Sequence, residues 1–337
     1  MTNLDFGRLR DLGGLPDLLR DLAGDEGLSR VFRDQGLPVT LLDAPDTPVL
    51  MRDLVGLYQS GADVVGVRSL GLDASRGIKF EEHGPVAEYI LQAPTLHQAL
   101  ERLRVALPYH ESGSSLEIKA DGDALRVGYR NVHQHLNGWR HAGDFTLCLI
   151  VSLIRAYLGS DWQPSRIEVC YERGPWEQDH EDLFAAPVRY DPNRIAVFID
   201  RELIMSSDGA PNSKPKRILT LGDLARHQHT LPRNILEATT NIIGHRLLDG
   251  MSDLEGAAAR IGLEPRTLQR RLSDFGASYR DLLLRCRMRR ARELLVEPDM
   301  TVRQVGQALG YTSTPQFARA FKARLGATPS EFRRSIA

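Results

Sequence analysis

The feature that most constrains this fold is a repeat: a short helix, a glycine turn and a second helix occur twice near the end of the chain. Residues 254–272 and 302–321 both run from apolar and small residues to an aliphatic–glycine pair, then through a polar turn into a second helical segment. Gly262 and Gly310 occupy the matching turns, 48 residues apart. This is the helix-turn-helix pattern. The sequence therefore predicts a helical domain that contains two such units.

A proline follows each of these glycines where the second helix should begin. Pro265 and Pro315 stand at these positions, and the start of a helix tolerates proline because the N–H there has no partner within the helix. One such match would mean little, since pairs of helices joined by a tight turn are common. Two in tandem, in a segment without a strand pattern, favour a repeated module.

The second helix of the first unit has an apolar and a polar face. At 100° per residue, Leu272 and Phe275 lie within about 40° of Leu268, so we predict that all three point inward. The opposite face carries guanidinium, amide and hydroxyl groups, from Arg266, Gln269, Arg270 and Ser273, with Thr267 at its edge. These groups can read base edges in a DNA major groove.

The second helix of the second unit has the same polarity. Phe317, Ala320 and Phe321 cluster on its inward face. Its outward face carries Pro315, Arg319 and Lys322, with Gln316 at the flank. Arginine can bond guanine bidentately and glutamine can do so with adenine, and each such pair contributes about 1–3 kcal/mol of discrimination.

The charge of the chain differs between its two ends. Residues 231–337 hold 18 Lys and Arg against 11 Asp and Glu, a net charge of +7, whereas residues 1–230 hold 25 against 33, a net charge of −8. Any single arginine is adequately explained as a solvated surface charge. Arginines on matching faces of two units, within a basic domain, instead indicate a surface that binds DNA.

These motifs resemble the DNA-binding domain of the AraC/XylS family of bacterial transcription regulators. The resemblance covers about one hundred residues and is carried by A-A-x-x-G-L-x-P-R-T-L-Q-R-R-L at 258–272, Y-R-x-L-L-x-R-x-R at 279–287, L-G-Y-x-S-x-x-x-F-x-R-A-F-K at 309–322 and G-A-T-P-S-E-F-R at 326–333. It implies two helix-turn-helix units, joined by a long helix at about Tyr279–Val296, that enter successive major grooves on one DNA face.

The helical faces and the resemblance together give a set of predicted DNA-binding residues, with Lys322 as a phosphate contact. They are Arg266, Thr267, Gln269, Arg270, Thr314, Pro315, Gln316, Arg319 and Lys322. Two departures from the family pattern weaken this assignment. Glu264 stands where Ser or Asp would cap the helix better, and its carboxylate disfavours a phosphate. Pro315 and Ala318 occupy readout positions but cannot donate side-chain hydrogen bonds.

The front of the chain reads as an α+β domain. Apolar residues three and four apart predict helices in the first seventy residues, and alternation at 116–120 and 125–130 predicts a hairpin around the D-G-D turn. The segments RIEVCYE and RIAVFID predict two further strands. Residues 145–158 predict a buried helix, too short to cross a bilayer.

A second, weaker resemblance lies in this front region. Residues 84–110, GPVAEYILQAPTLHQALERLRVALPYH, together with a helical N-terminus and a following hairpin, are similar to the arabinose-binding-type sensor domain of some AraC-like regulators. The resemblance implies a domain that binds a small inducer and pairs subunits. It does not identify the residues that line the effector pocket.

The segment SSDGAPNSKPKR at 206–217 reads as a linker, because it combines Ser, Gly and Pro without apolar periodicity. We predict an effector-sensing and dimerisation domain at 1–208, a linker at 209–230 and a DNA-binding domain at 231–337.

An enzyme, or a DNA-repair protein fused to a helix-turn-helix domain, is the alternative. His133 and His135 would share a face on a strand, but no acid lies nearby in sequence, so we expect surface or hydrogen-bonded histidines rather than metal ligands. No nucleotide-binding or hydrolase motif occurs. Of the three cysteines, Cys286 lies among arginines that would lower its pKa, whereas Cys148 and Cys170 lie in apolar surroundings. We predict no catalytic residue, metal or cofactor.

The sequence thus predicts a ligand-responsive, sequence-specific DNA-binding regulator that activates nearby metabolic genes. A DNA-binding or architectural protein without an effector would not need so large a front domain. The expected partners are double-stranded DNA, a small-molecule effector, RNA polymerase and a second copy of the chain, and no membrane. With no secretory signal and few cysteines, we expect a cytoplasmic, nucleoid-associated bacterial protein.

Overall fold

The structure, a computed structural model, describes residues 4–191, 193–205, 218–227 and 231–336. The chain divides into two compact units, an N-terminal unit of Asp5–Leu231 and a C-terminal unit that begins at Pro232. The sequence places the start of the second domain at residue 231.

The N-terminal unit is an α+β domain. Its helices are α1 (Leu15–Asp34), α2 (Met51–Val65), α3 (Leu70–Ala74), α4 (Gly84–Leu91), α5 (Leu96–His110), α6 (Trp139–Leu158), α7 (Glu177–Phe184), α8 (Arg201–Met205) and α9 (Leu221–His227). Its strands are β1 (Phe6–Arg8), β2 (Pro48–Leu50), β3 (Ser114–Asp121), β4 (Ala124–Asn131), β5 (Arg166–Val169), β6 (Val188–Tyr190) and β7 (Ile195–Asp200).

The main sheet has five strands in the order β3-β4-β7-β5-β6, and β5 and β6 are its parallel pair. Strands β1 and β2 form a separate two-stranded sheet. The sequence predicted only helices in the first seventy residues. It missed these two strands because three residues are too few to show alternation.

The predicted hairpin is confirmed. Strands β3 and β4 pair antiparallel, with Asp121 opposite Ala124. Gly122 and Asp123 form the turn between them, and Gly122 has a φ of 58°. Glycine adopts this left-handed conformation without steric cost, which is why a D-G turn can close a two-residue hairpin.

Helix α6 is the central helix of the N-terminal unit. It packs against α2, α3 and β7, and twelve of its twenty residues are buried. The sequence predicted a helix at 145–158 that was too short for a membrane. The helix begins earlier, at Trp139, so its length and composition alone would allow a span. Its burial against the other elements is nevertheless that of a core helix.

Part of the interval predicted as a linker, 209–230, packs onto the N-terminal unit, through helix α9 within the described residues 218–227. Leu224 of α9 is 1% exposed and belongs to the main core. Thr220 and Asp223 cap the start of α9, since the Thr220 N–H donates to Asp223 Oδ2 and the Asp223 N–H donates to Thr220 Oγ1. This capping pattern is a local helix signal that the linker interpretation overlooked. Residues 206–217, which carry the linker composition, lie outside the described residues.

The C-terminal unit is helical throughout its described residues, as predicted. Its helices are α10 (Ile235–Leu248), α11 (Leu254–Ile261), α12 (Pro265–Asp274), α13 (Tyr279–Val296), α14 (Val302–Ala308), α15 (Thr314–Leu325) and α16 (Pro329–Ile336). The pairs α11–α12 and α14–α15 are the two helix-turn-helix units, and α13 is the helix that joins them. Gly262 and Gly310 both have a φ of 76°, which explains glycine at the two matching turns.

Candidate DNA-binding surface and effector pocket

Helix α12 is held in place by its apolar face. Leu268 and Leu272 are fully buried, as the helical projection predicted. Phe275 was also expected inside, but it is 53% exposed. Helix α12 ends at Asp274 and the chain turns away through Gly276, which has a φ of 66°, so the helical projection does not extend to Phe275.

The outward face of α12 carries the side chains predicted to bind DNA. Arg266, Gln269 and Arg270 are exposed, and Thr267 is half-buried. The side chains of Arg266 and Arg270 form no hydrogen bond or ion pair with another residue in the described part of the chain. Glu264 precedes the helix and forms no capping hydrogen bond, as its type predicted. The guanidinium groups of this face are therefore free to meet an external partner.

Helix α15 repeats the arrangement with a better cap. The Ser313 hydroxyl accepts from the Gln316 N–H, and Phe317 and Phe321 are fully buried, with ring centroids 5.7 Å apart. Four predicted side chains of this helix are exposed and the fifth, Thr314, is half-buried. The exposed ones are Pro315, Gln316, Arg319 and Lys322. The side-chain amide oxygen of Gln316 accepts from the Thr312 hydroxyl at 3.1 Å.

Helix α13 links the two helix-turn-helix units through one arginine. Arg287 Nη2 donates to the Ser252 hydroxyl, 3.1 Å away and just before α11. The same guanidinium lies 5.0 Å from the ring centroid of Tyr311, in the turn between α14 and α15. Because Tyr311 also packs against Phe317, Arg287 connects the start of the first unit with the core of the second.

The N-terminal unit contains a cavity of about 90 Å³, which sequence reasoning did not locate. Side chains from α2, α4, α5, α6, β3 and β4 form it, and most are apolar. Among them are Met51, Leu54, Val86, Ile90, Leu107 and Phe145. An apolar cavity with a few convergent polar groups is the usual form of a small-molecule site.

One end of this cavity is polar. His83 Nε2 lies 3.0 Å from Asp11 Oδ1, and His110 Nε2 lies 2.7 Å from the same oxygen. Burial lowers the pKa of His83 below its ordinary value. Burial by itself would raise the pKa of the Asp11 carboxyl. The contacts with the two histidines outweigh burial and keep this pKa well below its ordinary value. A carboxylate and two imidazoles thus converge beside the cavity.

A second polar group lies next to this cluster. The Tyr129 hydroxyl donates to Glu111 Oε1 at 2.7 Å, and the Tyr129 ring lies parallel to that of Trp139 with centroids 6.4 Å apart. Burial raises the pKa of Glu111. Both Glu111 and Tyr129 line the cavity.

The histidines that the sequence considered lie elsewhere. His133 and His135 follow β4 in a turn rather than in a strand. No acid lies near them in sequence, but Asp5 does in space, with its Oδ2 at 3.2 Å from His133 Nε2. His135 is exposed and its Nδ1 lies 3.0 Å from the Val132 carbonyl. Both are therefore hydrogen-bonded histidines, as the sequence favoured.

The cysteines do not resemble reactive thiols. Burial raises the pKa of Cys148 to about 12 and also raises that of Cys170. The sequence expected neighbouring arginines to lower the pKa of Cys286, but Cys286 is buried between helices, and burial raises its pKa despite Arg285 and Arg289. This burial removes the main support for a DNA-repair alkyl-transfer enzyme.

Two protein-family models match the chain. The model described as the arabinose-binding domain of AraC transcription regulators, N-terminal, matches residues 27–207, and a helix-turn-helix domain model matches residues 257–335. The first match alone covers more than half of the chain. The chain belongs to the AraC family of transcription regulators. This AraC-family regulator therefore joins a helix-turn-helix DNA-binding domain to a sensor domain of the effector-binding type.

Its relatives include two regulators matched over nearly their whole length. The ornithine utilization regulator of Pseudomonas aeruginosa is 22% identical over 94% of each chain. The HTH-type transcriptional regulator VirS of Mycobacterium tuberculosis is 23% identical over 97% of this chain and 96% of its own. Among solved structures, the transcriptional regulator CdpR from Pseudomonas aeruginosa aligns with a TM-score of 0.40 at 18% identity, covering 92% of this chain and 97% of that one. Both sequence relatives are regulators.

Sequence reasoning missed the polar end of the cavity, although one signal was present. The segment quoted for its resemblance to a sensor domain, 84–110, starts directly after His83 and ends at His110. Both histidines therefore flank the helices α4 and α5 that the pattern predicted. Asp11 lies 72 and 99 residues from them, and no local pattern connects it to either.

Proposed function

We propose that this regulator reads DNA through the outward faces of α12 and α15, which enter two successive major grooves per subunit. The observation that carries the proposal is the shared design of the two helices. Each is anchored by buried apolar side chains and presents exposed arginine on the opposite face. Arg266, Gln269, Arg270, Gln316 and Arg319 would contact base edges, with Thr267, Thr314 and Pro315 beside them and Lys322 on a phosphate.

The cavity of the N-terminal unit is the proposed effector site. Its walls are mostly apolar and its polar groups are gathered at one end, around Asp11 and Glu111. This arrangement suits a small organic molecule with an apolar body and one polar group. The name of one relative refers to ornithine utilisation; because these walls are mostly apolar, we propose a less polar effector for this chain.

The regulator would act as an activator of nearby metabolic genes in the cytoplasm, associated with the nucleoid. Two copies would pair through their N-terminal units, since two linked DNA-binding domains on one operator raise avidity through effective concentration. Activation would then require contact with RNA polymerase.

The test is footprinting of the purified full-length protein on DNA upstream of its own gene and the neighbouring genes. We expect protection of two successive major grooves per subunit on one face of the duplex, with binding that weakens steeply as salt rises. Light scattering of the same sample should show a dimer. Absence of any sequence preference over a scrambled duplex would contradict the proposal.

The proposed effector site is tested by thermal denaturation of the protein in the presence of a panel of small amphipathic amines, alcohols and acids. A ligand that binds only the folded state raises the melting temperature by mass action. All three tryptophans lie in the N-terminal unit, so tryptophan fluorescence reports that unit selectively. A widened cavity wall, Leu107→Ala, should change which ligands produce the shift. A panel with no shift at all would count against an effector in this cavity.

A further inference from the structure

We propose that Asp11, His83 and His110 form a binding site for a divalent transition-metal ion, such as Zn²⁺, at the polar end of the cavity. The inference rests on the proposed function only in placing the ion beside the effector; the metal site itself rests on geometry. In that arrangement the ion would be part of the sensor rather than of the DNA-binding unit.

Three separate elements bring the ligand atoms together. Asp11 belongs to the 3₁₀ turn at Leu9–Leu12, His83 directly precedes α4, and His110 is the last residue of α5. One ligand atom from each lies within 4.8 Å of the other two. In a tetrahedral zinc site with bonds of about 2.0–2.1 Å, neighbouring ligand atoms are about 3.3 Å apart. The observed separations of 3.0 and 2.7 Å from Asp11 Oδ1 require only small side-chain shifts to admit an ion.

Neighbouring groups hold these ligands in orientation. The Arg8 N–H donates to Asp11 Oδ2 at 2.9 Å, which leaves Oδ1 as the oxygen that faces the histidines. The Tyr58 hydroxyl donates to the Asp11 carbonyl at 3.1 Å and fixes the backbone of the same residue. The Phe145 ring packs 6.1 Å from that of His83. Supporting contacts of this kind are typical of metal ligands, whose orientation they fix.

The chemistry of the donor set favours a transition metal over magnesium or calcium. Two imidazoles and one carboxylate suit zinc, cobalt or ferrous iron, whereas Mg²⁺ and Ca²⁺ prefer sets made only of oxygen. His83 and His110 are both buried. The nitrogen His110 Nδ1 is also buried and has no hydrogen-bond partner among the described residues.

All three residues line the cavity, so an ion bound to them would stand at its wall. Three protein ligands leave a tetrahedral ion one further position, which water or a ligand can fill. A polar group of the effector could therefore coordinate the ion directly. The polar end would then select ligands by metal coordination, and the apolar walls would select them by shape.

Cobalt titration tests the site without knowledge of the effector. Full-length protein prepared without a polyhistidine tag is stripped with a chelator, dialysed and titrated with Co²⁺, then with Zn²⁺. We expect one Co²⁺ per chain with visible d–d absorption, displaced by Zn²⁺, and a higher melting temperature for the tryptophan-reported unit with either metal. His83→Ala and His110→Ala should lose stoichiometric binding, while the exposed His135→Ala and His97→Ala should retain it.

His83→Gln provides a second variant if the alanine change unfolds the unit, because the amide can still donate to Asp11. The number of Co²⁺ ions bound per wild-type chain tests the site without relying on the folding of any variant. Absence of the cobalt band in wild type, or a band unchanged in the His83 and His110 variants, would overturn the inference. The inference would also be overturned by a small molecule of the thermal denaturation panel that binds the polar end of the cavity only when metal is removed. If wild-type protein binds no Co²⁺ but still footprints its operator and responds to an effector, the metal site fails while the proposed function stands.

Discussion

The two units of this regulator handle their charged side chains in opposite ways. In the N-terminal unit, several charged side chains are buried and paired. Asp144 and His180 are almost fully buried, with Oδ1 and Nε2 2.7 Å apart. Arg126 of β4 pairs with Glu168 of β5 across the sheet. Pairing of this kind satisfies buried charges at the cost of their desolvation, and leaves them unavailable to an outside partner.

In the C-terminal unit, the arginines on the outward faces of the two second helices are exposed and unpaired among the described residues. Arg266, Arg270 and Arg319 form no ion pair within the described residues. The apolar side chains beneath them carry the packing, so the outward faces add little to stability. The same residue type thus serves structure in one unit and, under the proposed function, recognition in the other. Each prediction below tests one side of this difference.

The largest expected effect concerns the buried anchors. Phe317→Ala should destabilise the C-terminal unit by about 3–5 kcal/mol, because it leaves a cavity between α13, α14 and α15. The matched change Phe275→Ala, at an exposed aromatic, should cost no more than about 0.5 kcal/mol. Hydrogen exchange of C-terminal peptides in the full chain measures both. Tryptophan fluorescence, which reports the other unit, should not change; equal losses in the two variants would show that Phe275 is packed.

The pH response should differ in sign between two buried histidines, His245 of the C-terminal unit and His180 of the N-terminal unit. Burial, with Arg260 and Arg289 nearby, lowers the pKa of His245 to about 4. The folded C-terminal unit then binds a proton less readily than the unfolded chain. The stability from this group is therefore complete above the ordinary histidine pKa of about 6.5 and is lost as the pH falls toward 4, by up to about 3 kcal/mol.

His180 in the N-terminal unit acts in the opposite direction. Burial opposes its charge, but the hydrogen bond to Asp144 prevails and raises the pKa of His180 above its ordinary value. Its contribution is present below the unfolded pKa and is lost as the pH rises through the folded pKa. Urea denaturation at about pH 7 and about pH 5 tests both signs when wild type is compared with His180→Gln for the N-terminal unit and with His245→Gln for the C-terminal unit. The variants are needed because burial lowers the pKa of His83 and His141, which lie in the same unit as His180. His245→Gln should flatten the response of the C-terminal unit; an unchanged acid sensitivity would assign it to other groups.

The third effect concerns the exposed arginines. Arg270→Ala and Arg319→Ala should each weaken binding to the specific site by about 1–3 kcal/mol and leave folding nearly unchanged. Arg233→Ala, an exposed arginine beside α10, is the matched control and should keep the ratio of specific to random binding. We expect the larger loss at Arg270, because Pro315 and Ala318 give α15 fewer hydrogen-bonding groups. Titration on specific and scrambled duplexes measures the ratio. An unchanged ratio in both variants would place these faces outside the grooves.

The sequence predicted the C-terminal unit well because its signals are local. Gly262 and Gly310 mark turns, and Pro265 marks a helix start, each within a few residues of the structure it specifies. The polar cluster of the sensor could not be found in this way. Asp11, His83 and His110 come together only through the packing of the whole N-terminal unit, which no periodicity records. Helix α9 was missed for a different reason, since the composition of its surroundings outweighed the cap at Thr220.

The smallest effect concerns Lys322, which we place on a phosphate rather than on a base. It is exposed near the end of α15, past the positions that we propose to face the bases. Lys322→Gln keeps most of the side-chain length and removes the charge. Binding should weaken by about 1 kcal/mol or less, equally on specific and scrambled DNA, and the slope of log K against log salt should fall by about one. Arg319→Ala, measured beside it over the same salt series, should instead change the specificity ratio. If Lys322→Gln lowers binding to the specific duplex alone, this lysine contacts a base. The boundary on α15 between base-contacting and phosphate-contacting residues must then move toward the C-terminal end of the helix.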